Sequence, residues 1–119
     1  MLNIRRRLCI VVATLTLAQS VNTQAQETVR IAGTGTQNCE SWTAYVRYPY
    51  ESKSDANAVE IGLTSWALGY ASAAAVYGGP DVFAKTDNHS FIDAISERCK
   101  KFPKARVDSV VEKILKEAP

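Results

Sequence analysis

The segment Ser65–Gly79, SWALGYASAAAVYGG, decides the fold. It sets Trp66 and Tyr70 among residues with little or no side chain and ends at Gly78, Gly79 and Pro80. Working outward, Val59, Leu63, Trp66, Tyr70 and Ala74 recur at steps of four, three, four and four, the spacing of one helix face. This predicts a helix over 56–77, stopped by the glycine pair and the proline. A second row, Gly62, Ser65, Gly69 and Ser72 or Ala73, lies beside the first. Each glycine inside a helix costs about 1 kcal/mol relative to alanine. The expected compensation is close approach: another helix packs against the small row while Trp66 and Tyr70 fill the wider side of the core. The same row offers a homodimer face, so monomer and homodimer both remain open. Glu60 and the shortage of large aliphatic residues argue against a bilayer span.

Three further helices complete the pattern. Asn38 is a good N-cap for CESWTAYVRY, which Pro49 must end. Cys39 and Trp42 share its buried stripe with Tyr45 or Val46. Ser52 with Asp55 forms a candidate capping pair for the second helix. Thr86 or Asp87 caps a third helix in which Phe91, Ile95 and Cys99 are spaced by four. Pro103 suits the first turn of a fourth, PKARVDSVVEKILKEA, whose Val107, Val110, Val111, Ile114 and Leu115 make its inner face. There is no alternating strand pattern and no repeat. The expectation is a small all-α, four-helix domain over 38–119, with Trp42, Leu63, Trp66, Gly69, Tyr70, Phe91, Ile95 and Ile114 as structural core.

The N-terminal part reads differently. Arg5, Arg6 and Arg7, an apolar run from Leu8 to Leu17 and a polar stretch ending Thr23-Gln24-Ala25 have the three-part form of a cleaved secretory signal, 1–25. The apolar run is too short to span a bilayer, which takes roughly 20 residues. Residues 26–37 read as an irregular lead-in. Removing the signal discards Cys9 and leaves eleven basic and twelve acidic residues. Such a near-neutral chain has no general attraction for nucleic acid or acidic membranes. The basic cluster Arg98, Lys100, Lys101, Lys104 and Arg106 is read first as a solvated face, and second as a patch for an acidic partner. Cys39 and Cys99, 60 positions apart, remain as a pair for an oxidising compartment, where they are expected to join the first and third helices. In the chain-entropy picture that closure stabilises the fold by about 4 kcal/mol. A redox role would favour a Cys-x-x-Cys spacing, which is absent.

Little in the chain points to chemistry. His89 is the only histidine, so a multi-histidine metal site is excluded and no metal or cofactor is expected. Asp81, Asp87, His89 and Asp93 are near in sequence, but as loop residues, a cap and a first helical turn. AGTGT, 32–36, lacks the strand and lysine of a phosphate loop. An enzyme dependent on His89 is kept only as a contrast; no catalytic residue is assigned.

The signal, the cysteine opening the first helix, the W-x-L-G-Y of the second (Trp66, Gly69, Tyr70), FIDAISERCKKFP with Cys99 and Pro103, and the amphipathic last helix resemble a group of small bacterial periplasmic proteins. These are related in architecture to the HdeA/HdeB acid-stress chaperones and the Tai-type immunity proteins against type VI secretion amidases. The resemblance implies a periplasmic, protein-binding, non-enzymatic role of the immunity or inhibitor kind, or else an acid-activated chaperone. Tyr48, Tyr50, Asp81, Asp87, His89, Lys100 and Lys101, in and around the two polar loops, are the candidate partner-binding residues. Most of the acidic residues are expected at caps and exposed turns, with little coupling to the fold.

Overall fold

The small residues of the second helix do pack closely, but not the ones the pattern singles out. A computed structural model describes residues 33–118; the expected signal 1–25 with Cys9, and 26–32 of the lead-in, lie outside the described residues. Four α-helices follow in order: α1 (Cys39–Tyr45), α2 (Ala58–Val76), α3 (Asn88–Lys101) and α4 (Val107–Glu117). Two 3-10 turns, Gly33–Thr36 and Val82–Ala84, flank them, and no strand occurs among the described residues. No helix among these residues is long and apolar enough to cross a membrane. Cys39 and Cys99 form a disulfide with Cα atoms 4.8 Å apart, joining α1 to α3 as expected.

On α2 the buried face is Glu60, Leu63, Thr64, Ala67 and Ala71. Ser65, Gly69 and Ser72 are exposed. A Cβ added to Gly69 would meet nothing within 4 Å, and one on Gly62 would meet only Thr34 Cγ2 at 3.8 Å. The expectation that the glycine row receives a helix, with Gly69 in the core, is therefore corrected: the alanines make the close contact. Trp66 and Tyr70 are partly buried against the edge of the core, stacked on each other with centroids 5.3 Å apart. The glycine that matters is Gly35 in the first 3-10 turn. A Cβ there would lie 2.0 Å from Cζ2 of Trp66, so the indole packs directly on backbone. Gly78, at φ +85°, ends α2 in a Schellman arrangement: its N–H donates to Ala75 O, and that of Gly79 to Ala74 O.

The other boundaries have local causes. Asn57, not Ser52 or Asp55, caps α2, its side chain accepting from Glu60 N–H at 2.8 Å. Asp87 caps α3 through Ser90 N–H. α1 stops at Tyr45, short of Pro49, because Val46 turns to extended backbone and buries its side chain. α4 begins at Val107, not Pro103. The carbonyls of Pro103 and Ala105 accept the amides of Glu40 and Cys39, and Gln37 O accepts from Val107 N–H. Residues 103–105 form a turn and Arg106 is extended in a bridge to Asn38, so the segment is held out of the helix while satisfying the N-terminal donors of two helices.

The core is Trp42, Leu63, Phe91, Ile92, Ile95, Val107 and Val111 around the disulfide. Ile114 lies partly buried at its edge. Trp42 is wholly enclosed, and its indole N–H donates to Ser96 Oγ at 2.9 Å; that hydroxyl in turn donates to Ile92 O at 3.0 Å. Burying the polar end of a tryptophan requires such a partner.

Candidate functional site

The outer side of α3 gathers most of the residues that the sequence marks for binding. His89, Asp93, Glu97 and Lys100 are spaced by four, four and three and form one stripe along the helix. The connection Tyr48–Pro49–Tyr50, whose Tyr48–Pro49 bond is cis, lies along this stripe as a strap. Asp93 accepts the Tyr50 N–H at 2.7 Å, and the edge of the Tyr50 ring meets His89 with centroids 5.2 Å apart. Glu97 accepts the Tyr48 hydroxyl at 2.7 Å, and Lys100 Nζ sits 3.5 Å from the centre of the Tyr48 ring. The hydrogen bond to Glu97 raises the Tyr48 hydroxyl pKa above its ordinary value. Tyr48 is thus 42% exposed and yet held by two contacts, with Glu97 and Lys100.

Beside the strap lies a shallow hollow of about 340 Å³ lined by Thr43, Tyr45, Arg47, Tyr48 and Lys100. Tyr45 is itself half-exposed. Arg47 is anchored beneath, with Nε donating to buried Glu60 at 3.1 Å and Nη1 to Asp55 at 3.3 Å. The guanidinium pKa is raised, first by the Glu60 hydrogen bond. This ion pair ties the strap's root to α2.

On the other flank of Glu97, between α3 and α4, runs a larger groove of about 780 Å³. Asp81 and Lys101, two of the candidate residues, fall on its wall, with Phe91, Ala94 and Ile114 as apolar floor. Glu97 therefore borders both surfaces. No known protein family, curated protein or solved structure matches the chain.

The remaining candidates have separate duties. Asp87 spends its carboxylate on Ser90, whose backbone N–H and then side chain hold its pKa below the ordinary aspartate value. His89 is exposed and lies in a shallow surface hollow with Asp87 and Asp93, where both carboxylates already accept backbone amides. No group of three metal-ligating side chains occurs among the described residues. The structure thus brings Tyr48, Tyr50, His89 and Lys100 together and leaves Asp81 and Lys101 on the adjoining groove. Asp93 and Glu97, which hold the strap, are not among the sequence candidates. Their succession at steps of four from His89 was visible, but not the fold-back of the loop that gives it meaning.

The acids are also more deeply involved than turns and caps would require. Glu60 and Asp108 are buried. Burial pushes the Asp108 carboxyl up, but the Arg106 guanidinium and Ser109 N–H outweigh it and leave its pKa below the usual value. Arg98 donates to Glu117 at 2.7 Å and lowers its pKa in the same way. Glu112 accepts the Tyr70 hydroxyl at 3.1 Å, joining α4 to α2. The expectation of weakly coupled acids is corrected accordingly.

Proposed function

We propose that this protein is a non-enzymatic, periplasmic protein-binding module, of the immunity or inhibitor kind, that presents the Tyr48 face to its partner. The observation that carries the reading is the fixed exposure of Tyr48, braced by Glu97 and Lys100. Protein interfaces favour aromatic anchors. An anchor already ordered before binding loses less conformational entropy on association. Tyr45 and Lys100 extend the face, and the Lys100 charge suits a partner with an acidic patch. The resemblance to Tai-type immunity proteins, carried by Trp66, Gly69, Tyr70, Cys99 and Pro103, agrees with this reading.

The test is capture from periplasmic extract by the oxidised mature protein, with wild type and Tyr48→Ala compared. The expected result is one stoichiometric partner retained by wild type and weakened at least tenfold by the substitution. Finding no stoichiometric partner, or one indifferent to Tyr48 and Lys100, would count against the proposal.

A second reading, an acid-activated chaperone resembling HdeA, is favoured by the carboxylates that fasten the fold: Glu60 to Arg47, Asp93 and Glu97 to the strap, and Asp108 at the start of α4. Protonating Asp108, whose pKa burial raises but the Arg106 guanidinium and Ser109 hold below the usual value, removes its charge pairing with Arg106. Loss of near-ultraviolet circular dichroism and suppression of client light scattering near pH 2 to 3 is its expected signature; a protein that stays folded there and protects nothing removes this reading.

A further inference from the structure

We propose that the groove between α3 and α4 is a binding site for a single-chain alkyl carboxylate, a free fatty acid, distinct from the Tyr48 face. Its volume of about 780 Å³ lies within the range of sites for small ligands. The α3 residues that line it run from Ser90 to Lys101, a length of about 16 Å at 1.5 Å per residue. Phe91, Ala94 and Ile114 supply an apolar floor for a chain of that length.

The walls decide what kind of chain. They are mostly α3 and α4, whose backbone groups bond within the helix, with the 81–86 connection at one end, and their neutral polar side chains are Thr86 and Ser90. An extended peptide would bury amides with few partners, which is costly; an alkyl tail carries none.

Charge decides the head. Arg98, Lys101 and Lys113 line the groove, and the last two make no ion pair among the described residues. Of the carboxylates on the walls, Glu97 accepts the Tyr48 hydroxyl, Glu117 pairs with Arg98, and Asp81 lies beside Val82 at the other end. Arg98 Nη1 is shielded from solvent with no acceptor among the described residues. A carboxylate head at this end would give the exposed Lys101 and Lys113 a counter-charge, with the tail running over Phe91 toward Val82.

The test is an amide chemical-shift titration of the oxidised mature chain with dodecanoate below its micellar concentration. Parallel titrations use dodecyltrimethylammonium, dodecyl maltoside and a short apolar peptide with a free C-terminal carboxylate. The expected result is saturable one-to-one binding of dodecanoate, with shifts centred on Ala94, Lys101 and Ile114. Arg98→Gln and Lys101→Glu, at an exposed position, should each weaken it about tenfold. Ile114→Glu should abolish it, and unchanged circular dichroism of the Lys101 variant guards against a folding artefact. No saturation by 1 mM, an equal response to the cationic amphiphile, or binding by the peptide but not by dodecanoate overturns the proposal. The Tyr48-dependent capture is unaffected by any of these outcomes.

Discussion

Removing the disulfide should have the largest single effect on this chain. Cys39 and Cys99 are fully buried and 60 residues apart. In the loop-entropy picture a closure of that length restricts the unfolded chain by about 14 cal/mol/K, or about 4 kcal/mol at 25 °C. Whole domains have about 5–15 kcal/mol of stability, so the staple represents a large share of it. The perturbation is Cys39→Ala with Cys99→Ala, compared with wild type in urea by the fluorescence of Trp42 and Trp66. Trp42 lies in the core with the disulfide and reports its loosening directly. With a slope near 1 kcal/mol per M for a domain this small, the midpoint should fall by about 3–4 M, and at neutral pH the variant should be close to unfolded. A loss under about 1 kcal/mol would refute the reasoning, since helical packing alone would then hold the domain.

Two glycine substitutions separate the observed packing from the expected one. Gly69→Ala should stabilise the domain by about 1 kcal/mol, since α2 gains helix propensity where the added Cβ meets open space; destabilisation in the same urea assay would restore the close-packed glycine row. Gly35→Ala should destabilise by about 1–3 kcal/mol as Trp66 is displaced, with a change in tryptophan emission. Stability should also fall with acid. Asp87, Asp108 and Glu117 have native pKa values below their ordinary 3.8 and 4.5, so near pH 4 the unfolded chain binds protons that the native chain does not. Their contribution is present above the unfolded values and is lost as pH falls through the native ones, so the urea midpoint should be level from pH 7 to 5 and drop below about pH 4; Asp108→Asn should flatten that drop. Trp42→Phe should cost about 1–3 kcal/mol, through the lost hydrogen bond to Ser96 and the volume removed from the core.

The helices were legible wherever periodicity and capping agreed. Phe91, Ile95 and Cys99 at steps of four, with Thr86 or Asp87 as candidate cap, placed α3, and the structure selects Asp87. α2 was found but its buried side was misassigned, because alanine, glycine and serine surround the whole helix and the two large aromatics dominated the pattern. Those aromatics are amphipathic and sit at the core's edge, Trp66 on the Gly35 backbone and Tyr70 reaching Glu112. The start of α4 was obscured because Pro103 is a favourable first helical residue, and only the pairing of 103–107 with 37–40 turns the segment out of the helix. For the site, residue type marked Tyr48, Tyr50, His89 and Lys100. Asp93, Glu97 and Ser96 gain their roles from contacts 43 to 54 positions away, which no local pattern encodes.

The most direct test of the binding account is a photo-crosslinking residue placed at Tyr45 in the living cell, with the exposed Ser72 of α2 as reference position. The account predicts one discrete protein adduct from position 45, stoichiometric with the chain under saturation, and none from position 72. No adduct at 45, or the same adducts from both positions, would contradict it.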